Sequence, residues 1–285
     1  MSRNEFIGVS NLDNEPLISH ADFVEATVEL AEDIFAGETI LEPSKRLSHS
    51  IKGRIPEAKT KPTHLLEEHE KTLHYERMAF VVEIPTIQDE VDGSTLSLTI
   101  GGVKSYNQDN LYSKKGTDEH FKIFIGFKNR VCANLRVWSD GYVGNLVVRS
   151  LGQLRRAIRT LYENYNSSFH LFNLKRLNEY EITEQQFAHL VGRSRVYNYL
   201  PVYLKKDIPQ LLLVESQINT VCRELYGDQN DCKASINLWQ LYNLFTSANK
   251  SSYIDSFLER SINAFDFTEQ LRLAVENKFT SWYLN

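Results

Sequence analysis

Cysteine is scarce in this chain of 285 residues, and the three present, Cys132, Cys222 and Cys232, form no Cys-x-x-Cys pair. An odd, scattered set of thiols fits reduced cysteines in a reducing compartment better than a disulfide framework. Also missing is any apolar run approaching the roughly 20 residues that cross a bilayer, so no membrane partner is expected. The opening MSRNEFIGVSNLDNEP is polar and acidic where a secretory leader would be basic and then apolar; a cytoplasmic protein is expected. There is no internal repeat and no low-complexity tract. His64, His69 and His74 recur every fifth residue, a spacing that neither a helix nor a strand gathers on one face, so neither metal nor cofactor is expected. Gly101-Gly102-Val103-Lys104-Ser105 lacks the upstream glycine and the Gly-Lys-Ser/Thr order of a phosphate loop.

What is present belongs to a globular protein: 42% hydrophobic and 24% charged residues. The net charge of −5 is unevenly spread, with −9 over residues 1–43, +5 over 44–62, −6 over 63–100, +9 over 101–206 and −4 over 207–285. A basic middle suits an anionic partner, unless folding mixes the segments and cancels the asymmetry.

Residues 1–20 read as a poorly ordered lead-in, and 21–285 as a single α+β domain, sheet-rich over 21–148 and helical over 149–285. ADFVEATVELAEDIFAG has an apolar face opposite a row of acids, a helix stopped by Gly37. The basic stretch SKRLSHSIKGRIPEAKTKP reads as a loop with one strand at most, and THLLEEHEKTL as a short helix. Period-two patterns then run from about 75 to 138 and predict an antiparallel sheet of four strands. Asp92-Gly93 marks a turn before TLSLTIGGV, whose Thr95, Ser97 and Thr99 are expected to face out. From Ser150 onward the period is helical. Thr183 with Gln186 forms a capping box for a helix ended by Pro201, and two separate helices are expected within 251–278.

The densest signal is FKIFIGFKNRVCANLRVWSDG, residues 121–141. With Lys128-Asn129-Arg130 as the turn, Phe121, Ile123, Ile125, Phe127, Val131, Ala133, Leu135 and Val137 share a core face. The other face carries Lys122, Phe124, Lys128, Arg130, Cys132, Asn134, Arg136 and Trp138. Cations with interleaved rings on a sheet suit single-stranded nucleic acid, cations tracking phosphates and rings stacking on bases. The other reading of this face is a solvated one, with a helix over Phe124 and Trp138. In the helix that follows, Arg155 and Arg159 lie one turn apart, placed for an anion or for salt bridges to the acidic segments. A catalytic set of Cys132, His120 and Asp140 fails on distance: in this register His120 and Cys132 stand about six residues apart, roughly 20 Å. No catalytic residue is assigned. Asp255 and Glu259 read as a solvated pair on a helix.

The strings LTIGGVKSYNQDNLYSKKGTDEHFKIFIGFKNRVCANLRVWSDG and NLWQLYNLFTSANKSSYIDSFLERSINAFD, with the closing SWYLN, resemble an uncharacterised family of Bacteroides-type bacteria often carried on conjugative and integrated elements. Cys132-Ala133-Asn134 and the Trp239…Tyr242-Asn243…Thr246 helix are more distantly similar to the phage/plasmid-like protein family. Neither resemblance transfers a functional residue; together they imply an accessory protein of mobile DNA. Three readings stand open. One is a non-enzymatic binder of single-stranded or distorted nucleic acid through Lys122, Lys128, Arg130, Asn134, Arg136, Trp138, Arg155 and Arg159. The second is a module that docks a host or element-encoded protein, with Trp239, Tyr242 and Phe245 partly exposed. The third is an enzyme with its site near Cys132 or His120.

Overall fold

Ser19 opens the first helix with a reciprocal cap. Its hydroxyl accepts from the Asp22 amide while the Asp22 carboxylate accepts from the Ser19 amide, which satisfies donors that a helix start leaves open. The structure is a computed structural model that describes residues 17–58, 60–106, 118–130, 134–227 and 234–285. Helix α1, His20–Ile34, buries Phe23, Val24, Leu30 and Ala31, the face its pattern predicts. Gly37 follows at φ +90°, a backbone conformation that glycine adopts without strain.

Strands β1 (Ser44–Leu47), β2 (Ile51–Arg54), β3 (Lys71–His74), β4 (Arg77–Val91), β5 (Ser94–Ser105), β6 (Glu119–Asn129) and β7 (Leu135–Val148) come next. One antiparallel sheet has the order β1-β4-β5-β6-β7, and β2 with β3 makes a separate ribbon. The sheet has five strands rather than four because the basic stretch adds an edge strand, with Ser44 opposite Val81 and Leu47 opposite Met78. THLLEEHEKTL is not a helix. Two 3₁₀ turns, Thr63–Leu65 and Glu68–Glu70, lead into β3, whose backbone pairs with β2 instead of with itself. Ser97 and Thr99, expected to face out, are fully buried; the central strand is covered on both faces.

The α+β class of the sequence holds. Helices α2 (Leu151–Asn164), α3 (Ser167–Arg176), α4 (Glu184–Val196), α5 (Val202–Lys205), α6 (Glu215–Tyr226), α7 (Leu238–Asn249) and α8 (Phe257–Glu276) follow, with a ribbon of β8 (Glu181–Thr183) and β9 (Ser235–Asn237). The Thr183/Gln186 capping box forms as expected. The two helices expected within 251–278 are one, because Ala264, Phe265, Phe267 and Thr268 bury the stretch between them and leave no break.

The chain divides into two compact units, one of Met1–Ile87, Leu98–Ile125 and Gly141–Tyr165, the other of Gln88–Ser97, Gly126–Asp140 and Asn166–Asn285. The division cuts through strands β4 to β7. Within the first unit, the Phe23 ring meets Phe80 and Phe121 edge-on at 5.0 and 4.8 Å. A Cβ at Gly101 would overlap the Phe80 carbonyl, and one at Gly102 the Phe23 ring. The Gly101-Gly102 pair therefore serves close packing, and Lys104 is fully buried in an ion pair with Glu119. Within the second unit, α7 packs against α6 and α8, with Tyr242 on Phe265 and Phe245 on Phe267 at 5.8 and 6.1 Å.

Candidate functional site

The β6–β7 hairpin turns later than its sequence predicts. Lys128 and Asn129 belong to β6, and the Asn129 amide donates to the Asn134 carbonyl at 3.0 Å. Asn134, expected opposite Phe124, thus stands opposite Asn129, five residues along. That is an odd shift in pairing, which exchanges the faces of one strand relative to the other. Phe127 and Trp138, assigned to opposite faces, both reach the His170 ring, at 5.5 and 5.7 Å. Trp138 is half-buried against α3 and α8, in contact with Phe169 and Phe265 as well. Phe124 is fully buried. Val131, Cys132 and Ala133 lie outside the described residues.

The expected open cationic face is therefore corrected residue by residue. Arg136 is fully buried: it donates to the Asn134 carbonyl at 3.1 Å and to the Asn243 side-chain oxygen, and its guanidinium stacks 4.7 Å from the Trp239 ring. Asn134 is buried and donates to the Asn243 carbonyl at 3.3 Å. Burial, with Arg136 nearby, pushes the His170 imidazole down to about 3. Lys122 and Lys128 are half-buried, and Arg130, at the exposed end of the hairpin, reaches Gln88 at 3.3 Å. Arg155 pairs with Glu29, and Arg159 with Asp33 and Glu163. These two arginines and Lys122 belong to the first unit, the other five residues to the second.

Of the other two readings, the docking one loses its exposed rings. Trp239, Tyr242 and Phe245 are fully buried rather than partly exposed, because α7 is sandwiched between α6 and α8. His120 is half-buried in β6 and Cys132 lies outside the described residues. Burial pushes up the thiol of Cys222, the opposite of an activated nucleophile. Asp255 and Glu259 are half-buried rather than fully solvated.

A different segment of the second unit presents rings and cations together. Helix α4 passes into a 3₁₀ turn at Tyr197–Tyr199, and Pro201 then starts the four-residue α5. Tyr197 is buried and anchors the turn: its ring contacts Trp282 edge-on at 6.4 Å and lies 5.3 Å beneath the Lys205 ammonium. Tyr199, Val202 and Tyr203 project outward at 88%, 79% and 70% exposure. Residues 193–206, RSRVYNYLPVYLKK, hold four cations and no carboxylate. Of these, Arg195 alone meets a side-chain carboxylate among the described residues, Glu215, at 2.9 Å. Arg193 stacks 4.9 Å from the Trp282 ring, Lys205 donates to the Asn198 carbonyl at 3.1 Å, and Lys206 has no partner among the described residues. Beside this segment lies a groove of about 340 Å³, lined in part by Asp207, Gln270, Leu273, Phe279, Thr280 and Trp282. The signal was present in the sequence as a carboxylate-free run with three tyrosines. Read as the tail of a helix, it gave no hint that the rings stay outside.

The sequence profile of a family described as a domain of unknown function, B. Theta gene description (DUF3871), covers residues 2–284. The chain belongs to this family. No characterised protein and no solved structure matches the chain. Among the described residues of this DUF3871 member no helix is long and apolar enough to cross a membrane, and no cluster of His, Cys, Asp and Glu is arranged to hold a metal.

Proposed function

We propose that this DUF3871 protein binds single-stranded nucleic acid, and does so on the outward side of residues 193–206 rather than on the β6–β7 hairpin. The exposure of Tyr199 and Tyr203 on a run of four cations without a carboxylate carries the reading. Exposed rings supply sequence-tolerant stacking platforms, and cations beside them follow the phosphates. A family setting in mobile DNA, implied by the resemblance of the long strings above, supports it by association.

The test is fluorescence polarisation of a labelled twelve-residue oligo-dT on the full chain. Affinity is expected to fall steeply between 50 and 200 mM salt, with a logarithmic slope of about −0.7 for each phosphate neutralised. Tyr199→Ala with Tyr203→Ala should weaken binding at least about tenfold. A salt-independent curve, or unchanged affinity in the double variant, would sink the reading. The outward Val202 and the exposed Leu204 favour a second one, in which a host or element-encoded protein docks on this segment. Absence of oligonucleotide binding at 50 mM salt would leave that reading in place of the first.

A further inference from the structure

We infer that the groove beside residues 193–206 is a subsite for one guanine base of the bound strand, an inference that rests on the nucleic-acid reading above. Helix α8 ends at Glu276, and the chain turns back through Lys278 at φ +54°. Tyr283 then packs edge-on against Phe267 at 4.7 Å and donates its hydroxyl to the Pro209 carbonyl at 2.6 Å. The groove is open to solvent along one side and holds about 340 Å³, near the bottom of the roughly 300–1,000 Å³ range of small-molecule sites. That size suits a single base better than a large cofactor.

Its walls and its polar groups differ in state. Phe267, Leu271 and Tyr283 are buried and give a fixed apolar lining, while Phe279 and Leu273 are exposed at the mouth. Asp207, Gln270 and Thr280 line the same groove and are exposed to solvent there, and none of their side chains bonds to another protein group among the described residues. An apolar groove with polar side chains exposed along its rim can hold a splayed-out base, its faces against rings and its edge against those side chains.

The carboxylate selects the base. Asp207 directly follows Lys205 and Lys206 in a segment proposed to carry phosphates, where a negative charge is useful only if it faces something other than phosphate. An ionised carboxylate accepts hydrogen bonds and donates none. On the Watson–Crick edge, guanine places two donors side by side, N1–H and the N2 amino group. Adenine and cytosine set one amino group beside an acceptor, and thymine or uracil a single N–H between two carbonyls. Guanine is thus the base that a carboxylate binds bidentately, and the Gln270 amide can donate to its O6.

The experiment compares three labelled twelve-residue strands on the full chain: oligo-dT, the same strand with two central dG, and the same strand with dI replacing each dG. The dG strand should bind about tenfold tighter than oligo-dT. The dI strand, without the N2 amino group, should lose most of that gain. Asp207→Asn should abolish the guanine preference while leaving oligo-dT affinity unchanged or modestly higher. Gln270→Ala should reduce the preference without removing it. Equal binding of dG and dT strands, or a preference that survives Asp207→Asn, overturns the inference and leaves the nucleic-acid reading intact. Failure of every strand to bind removes both.

Discussion

Arg136 shows what a cation does when it is enclosed. Its hydrogen bonds to Asn134 and Asn243 and its stacking on Trp239 place it in the core of the second unit. Arg136→Ala should cost about 2–4 kcal/mol, from the volume lost and the acceptors left without a donor. Arg130→Ala, at the exposed hairpin end, should cost less than about 0.5 kcal/mol. Urea denaturation checks both, and equal small losses would return Arg136 to the surface. His170 and His20 are buried too, and burial first of all holds their imidazoles at about 3 and about 4. Unfolded, each titrates near 6.5. Between these values the unfolded chain binds protons that the folded chain does not. Their contribution to stability is therefore fully present above about pH 6.5 and is lost as pH falls toward 4 and then 3. Each histidine contributes a slope of up to about 1.4 kcal/mol per pH unit in that window. Unfolding free energies at pH 5 and pH 7 should show this, and His170→Gln should reduce the difference. An unchanged slope in that variant would contradict the assignment.

At the level of elements, backbone approach and capping outweigh local preference. Gly101 sits where any Cβ would overlap the Phe80 carbonyl, whereas Gly192, inside α4, faces open space. Opposite signs are therefore expected for the same substitution. Gly101→Ala should destabilise by more than about 2 kcal/mol, through displacement of a strand in the core. Gly192→Ala should stabilise by about 0.5–1 kcal/mol, because alanine loses less freedom in a helix. Thr183→Ala removes the hydroxyl that accepts from the Gln186 amide and should cost about 1 kcal/mol. Thermal unfolding of the three variants tests all of these, and a neutral Gly101→Ala would place that strand elsewhere. The late hairpin turn belongs to the same scale. Alternation along β6 and β7 was legible, but the pairing between them depends on a turn whose residues carry no Asn-Gly or Asp-Gly signal.

For the molecule as a whole, the distribution of charge matters more than its sum. The acidic residues 1–43 and the basic residues 101–206 partly cancel on folding, as the Arg155–Glu29 and Arg159–Asp33 pairs show. The segment 193–206 escapes that cancellation in large part, since among the described residues only its Arg195 meets a side-chain carboxylate. Lys205→Glu with Lys206→Glu should therefore abolish the salt-dependent part of oligonucleotide binding. The same reversal at Arg155 and Arg159 should leave binding unchanged, and polarisation titrations at two salt concentrations compare the pairs. Equal losses from both pairs would mean that general charge, not this segment, carries the affinity.

The α+β class, helix α1 and its stop, the Thr183 cap and most of the C-terminal helices were determined by the sequence itself, because periodicity and capping act within a few residues. Tertiary structure alone decided the fifth strand, the register of the hairpin and which arginines are enclosed. Each of those outcomes depends on partners up to a hundred or more residues away, such as Glu29 for Arg155 and Asn243 for Arg136. A row of lysines and arginines reads alike whether it faces water, a carboxylate or a tryptophan ring. Only packing assigns the neighbour, and with it the difference between a binding surface and a core.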